Sequence, residues 1–149
     1  MTATRLATTA AFVLVLSLLG AAAWAADPEE HFLLTPALVQ KLKAAGPDIK
    51  KLEKLREQEG KEDETDGDVS VDEFARAIEA EPRAKAVLAK HGIGVKEFAL
   101  STYAMVHAGM FVALEASMDK QKAAEMMGTF TREQRANIAL LRKMGPAAH

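Results

Sequence analysis

From Leu6 to Ala26 the chain carries no charged side chain, and the centre of that run, Ala-Ala-Phe-Val-Leu-Val-Leu-Ser-Leu-Leu-Gly, is almost wholly apolar. Beyond it the apolar positions recur with a helical rather than an alternating period, so the sequence predicts helices and no strands. Thr35 before Pro36 marks a helix start, since the missing proline N–H is not needed in a first turn; this helix is expected to stop at Gly46. Pro47 then opens a second one carrying Ile49, Leu52 and Leu55, a thin apolar stripe of the kind a solvent-facing helix shows. Ser70 and Glu73 have the spacing of a capping box, with Val69 and Phe74 placed as a hydrophobic staple. That start predicts a helix over Val71 to Ala80. Pro82 begins another, closed at His91 by Gly92.

The same starting device recurs, because Ile93-Gly-Val-Lys-Glu-Phe-Ala echoes Val69-Ser-Val-Asp-Glu-Phe-Ala. The helix it opens runs from Val95 to about Lys120. Between Phe98 and Leu114 it has no Asp, Glu, Lys or Arg. Apolar side chains occur nearly all round it, which is expected of a helix enclosed by others. Ala104, Ala108, Gly109 and Ala113 are small enough for close approach. Thr131 and Gln134 form a further capping box before Ile138, Leu141 and Met144, and Gly145 with Pro146 ends that helix. The expected fold is all-α, a compact bundle of five to six helices around a buried central helix at about 95–120.

Composition sets the address. Arg5, the apolar run and Ala23 with Ala25 have the form of a secretory leader cleaved between Ala25 and Ala26. The expected organisation is a signal peptide at 1–25 and one helical domain at 26–149, periplasmic or secreted, with no stable membrane span after cleavage. The chain has no cysteine, so neither a disulfide nor a thioether-linked haem enters the reading. With 19 basic and 21 acidic side chains, nucleic acid is not an expected partner.

The acidity is concentrated. Nine carboxylates and one lysine lie between Glu57 and Glu73, in an acidic loop at 57–70. With Gly67 at the sixth position of an EF-hand frame, Glu62, Glu64, Asp66, Asp68, Ser70 and Glu73 take up ligand positions. The second half resembles an EF-hand, but Glu62 and Glu64 are longer than the Asp or Asn that the tight first half requires. The match from Val69 to Phe74 is also what a capped helix start looks like without an ion. A solvated acidic linker is the first expectation, with no cofactor beyond weak calcium attraction, and a divalent-cation protein using residues 62–73 is the alternative.

His107, with Tyr103, Met105, Met110, Met126 and Met127, invites comparison with copper or haem ligation. A histidine and methionines filling a helical core explain the same pattern. Ser101 and Ser117 have no nucleophile elbow or paired base around them, so no enzyme is expected. Lys41, Lys43, Lys50, Lys51, Lys54 and Arg56 read as solvated helix faces. The stretch Glu81 to Gly109, with Pro82, Gly92, Glu97 and Phe98, together with Leu34-Thr-Pro and Asn137, resembles a group of small exported helical bacterial proteins. The resemblance implies export and a helical fold, and no activity. An exported, non-enzymatic binding or structural protein of the cell envelope, with an envelope protein or a small ligand as partner, is the expectation.

Overall fold

Thr35 caps the first helix as expected, its Oγ1 accepting a 3.1 Å hydrogen bond from Leu38 N. The computed structural model describes residues 27–60 and 69–145. It contains six helices: α1 (Pro36–Gln58), α2 (Val71–Ala80), α3 (Pro82–Lys90), α4 (Val95–Glu115), α5 (Lys120–Thr129) and α6 (Arg132–Met144). Among the described residues there is no strand. The fold is an all-helical bundle.

Two boundaries differ from expectation. The helix starting at Pro36 does not stop at Gly46 but continues through Gly46 and Pro47 to Gln58. Gly46 is not among the glycines with positive φ, so it does not act as a left-handed cap. Leu42, Ala45 and Ile49 lie on one side of the helix across this dipeptide, all in the cluster around Ile78, Leu88 and Ile93. Glycine and proline together disfavour helix by about 4 kcal/mol relative to alanine. Leu42 and Ile49 are half-buried, so each opposes that with part of the roughly 1.5–3 kcal/mol of full burial, and tertiary packing works against the local signal.

The second difference is at the other end. The long central helix stops at Glu115, and the carboxylate of Asp119 starts α5 by accepting from Gln121 N at 2.8 Å and Lys122 N at 3.4 Å.

The remaining punctuation follows the sequence. In the Ser70 box, Ser70 Oγ accepts from Glu73 N and Ser70 N donates to Glu73 Oε2. The Thr131 box closes in the same way with Gln134. Gly92, at φ +64°, ends α3 in a Schellman turn: Ile93 N donates to Leu88 O and Gly92 N to Ala89 O, both at 3.0 Å. Ile93 and Leu88 share a core cluster, the apolar contact that usually accompanies this turn. The staple before α4 forms, with Ile93 and Phe98 in that cluster, whereas Val69 remains 40% exposed.

Helix α4 organises the bundle. Its N-terminal half packs on α2 and its C-terminal half on α6, while α1 lies along α3. It is not enclosed on all sides, contrary to the sequence expectation. Its buried positions are mostly small, namely Ala99, Ser101, Ala104 and Ala108, with Leu100 and Phe111. Tyr103, Val106, Met110 and Leu114 face outward, with Met110 59% exposed. Small side chains on the covered face let neighbouring helices come close; the large ones opposite are 40–59% exposed. By length and composition α4 meets the requirement for crossing a bilayer, with a third of its most apolar stretch buried.

Candidate functional site: an apolar cleft

Four helices converge on one apolar cleft of about 230 Å³. The side chains of α1 enter at helical spacing, Ile49 and Leu52 with Glu53 and then Arg56; α2 supplies Phe74 and Ile78, one turn apart. The far wall is Ala84, Val87 and Leu88 of α3, and Phe98 with Thr102 of α4 closes the floor. The rings of Phe74 and Phe98 lie 6.1 Å apart, tilted by 38°. Two other depressions, of about 270 and 340 Å³, mix apolar and charged side chains: Glu115, Lys120 and Arg142 beside Met118 and Met127 in one, Asp48, Lys51, Arg83 and Lys90 beside Leu52 and Leu55 in the other. The four-helix cleft is distinguished by its hydrocarbon lining.

The α1–α3 wall is tied at both ends. Asp48 Oδ2 accepts from Lys90 Nζ at 2.8 Å and lies 2.9 Å from His91 Nε2; nearby, Lys41 Nζ donates to Gly92 O at 3.0 Å. At the opposite end Arg83 reaches Glu59 with two hydrogen bonds, at 2.8 and 3.0 Å, and Glu81 from its Nε at 3.0 Å. Those bonds raise the Arg83 pKa further. The helices are thus held antiparallel by side chains outside the cleft.

The Asp48 clamp has a pH signature. The hydrogen bond from Lys90, then that from His91, hold its carboxyl pKa down from 3.8 to about 2. A depressed folded-state pKa contributes stability that is complete above the ordinary value and lost as pH falls through the folded one. The clamp's contribution is therefore present above about pH 4 and disappears between pH 4 and 2. Asp48→Asn is expected to lower the melting temperature at pH 6 and to flatten its dependence on pH in that window, as thermal melts at closely spaced pH values will show. Equal acid slopes for the two proteins contradict the clamp.

The residues singled out from sequence fare differently. Ser70 and Glu73 are brought together, as a cap: Glu73 Oε2 accepts from Ser70 N at 3.1 Å and from Ser70 Oγ at 2.9 Å, and these bonds lower the Glu73 pKa. Glu62, Glu64, Asp66 and Asp68 lie outside the described residues, as do Ala25, Ala26 and the whole leader. Among the described residues no three His, Asp or Glu side chains are grouped to hold a metal ion.

His107 packs edge-on against Phe130, ring centroids 4.8 Å apart, and burial lowers its pKa, opposed by Glu30. Met126 and Met127 pack with Phe111 and Ile138, Met105 with Leu34 and Leu38, and Met110 faces outward. The methionines are dispersed over different parts of the bundle. Ser101 Oγ donates back within α4 to Phe98 O, and Ser117 Oγ, in the turn after α4, donates to Leu114 O, both at 2.9 Å.

The cleft-lining side chains of α1 were read from sequence as a solvent-facing stripe, and here the structure differs. Ile49 and Leu52 are half-buried and line the cleft, and Leu55 alone of the three is exposed. The signal lay in the sequence, since Leu42, Ala45, Ile49, Leu52 and Arg56 keep helical spacing straight through Gly46 and Pro47. No family model matches the chain, and no curated protein or solved structure is significantly similar to it.

Proposed function

We propose that this is an exported, non-enzymatic binding protein of the cell envelope and that the cleft among α1, α2, α3 and α4 is its binding site. The cleft itself carries the reading. It is a concave apolar surface with a few polar groups at its edge, the usual form of a small-molecule site, in a fold whose described serines are spent on capping or on backbone carbonyls of α4. The export half of the reading rests on the leader-like run before Asp27. The acidic segment plays the part of a linker between α1 and α2, with Ser70 and Glu73 starting the second of these.

An uncharged fluorescent probe, N-phenyl-1-naphthylamine, tests the site. Its emission is expected to rise with saturable, one-site behaviour. Val87→Trp, which fills the α3 wall, should weaken that binding at least tenfold, and Met110→Ser on the open side of α4 should leave it unchanged. Absence of binding, or the reverse response of the two variants, overturns the assignment.

A further inference from the structure

The geometry points to a ligand class for this cleft: a single hydrocarbon chain of about eight carbons. The inference rests on the cleft being the binding site and adds what it holds. A cavity of about 230 Å³ has room for roughly eight groups the size of a water or a methylene, at ~30 Å³ each. Its walls offer the side chains of Ile49, Leu52, Phe74, Val87, Leu88 and Phe98, which present no donor or acceptor to the chain. Filling such a site with polar matter leaves unpaired, desolvated groups, so the body of the ligand is hydrocarbon.

Three polar side chains, Glu53, Arg56 and Thr102, also line the cleft. Glu53, which is exposed, and Arg56 stand one turn apart on α1 and have opposite signs. Arg56 is already engaged within the protein. A terminal hydroxyl can bond to Glu53 or Thr102. The chain does not supply its own plug from the adjoining segment, because Lys61-Glu-Asp-Glu-Thr-Asp-Gly-Asp68 contains no apolar side chain.

Calorimetric titration of a straight-chain alcohol series, 1-pentanol to 1-dodecanol, into the chain as its native host produces it tests the class. Affinity is expected to rise about fourfold per methylene, the ratio that corresponds to ~0.8 kcal/mol per buried CH₂, up to about eight carbons and then to level off. Val87→Phe should weaken 1-octanol at least tenfold. Ala84→Leu narrows the same wall, so the outcome does not hang on one variant's folding, which thermal melts will check.

No saturable binding by any alcohol, with the naphthylamine probe still held in the cleft, overturns the ligand class and leaves the binding site standing. Loss of both overturns the site itself. Affinity climbing steadily to twelve carbons overturns the length.

Discussion

Asn137→Ala is expected to destabilise the protein by roughly 2–5 kcal/mol, because it leaves two backbone groups without partners at about 1–3 kcal/mol each. Asn137 is 2% exposed. Its Oδ1 accepts from Leu34 N at 2.8 Å and its Nδ2 donates to Phe32 O at 2.8 Å. One amide thus completes a strap that belongs to no helix. Around it Thr131 Oγ1 donates to Glu30 O at 2.6 Å, and Val71 N donates to Glu29 Oε1 at 3.1 Å. The strap therefore joins the starts of α6 and α2, the two helices that flank α4, while Phe32 packs against clusters on both.

In a domain of this size each kcal/mol corresponds to about 3–5 °C in melting temperature, so a fall of roughly 6–25 °C is expected. Asn137→Asp sharpens the test. It keeps the acceptor for Leu34 N and sets a second oxygen against Phe32 O, so it should be worse than Asn137→Ala at pH 7. Desolvation and the facing carbonyl raise the new carboxyl's pKa in the folded state, and the protonated form can donate again. Relative to Asn137→Ala, its stability should then recover as pH falls through that raised value. Urea unfolding of both variants at pH 7 and pH 5 measures this; a loss under 1 kcal/mol for Asn137→Ala refutes the role of the amide.

How much of this was legible beforehand follows from how local each cause is. Thr35 with Pro36, the boxes at Ser70 and Thr131, and the glycine after His91 satisfy backbone groups within a few residues, so sequence alone placed them. Gly46 and Pro47 carry an equally local stop signal, but the partners that override it, Ile78, Leu88 and Ile93, are thirty or more residues away. The end of α4 was missed because the charge that returns at Glu115 is compatible with helix and no glycine or proline follows before Lys120; Asp119, the cap of α5, was the signal. Its outward side was misread for a related reason: apolar character on all sides states what a helix could bury, whereas burial depends on how many other helices reach it. Two of the six acidic-loop candidates, Ser70 and Glu73, belong to a cap; the cleft, assembled from four separate helices, had no motif to announce it. Asn137 stood out in the sequence only as part of a resemblance, because its two partners lie more than a hundred residues earlier.

The covered and open sides of α4 give the second large effect. Ile138 on α6 is completely buried, in a cluster with Ala108, Phe111 and Leu141. The adjoining rings of Phe111 and Phe130 meet nearly perpendicular, centroids 5.4 Å apart. Truncating Ile138 to alanine removes buried methylene and methyl groups and leaves a cavity, at a cost of about 2–5 kcal/mol. Ala108 opposite has no side chain that can turn into the space, which places the expectation in the upper half of that range. Ile138→Val should cost only about 0.5–1.5 kcal/mol. Val106→Ala is the counterpart on the open side, where the side chain is 55% exposed. It should stay within about 0.5 kcal/mol of the parent, as surface substitutions do, with better helix propensity offsetting the little packing lost. Urea unfolding of the three variants compares the two sides directly, since all lie on or against one helix. If Val106→Ala proves as costly as Ile138→Ala, the open side of α4 is covered by something in solution, and the bundle's core extends across that side as well.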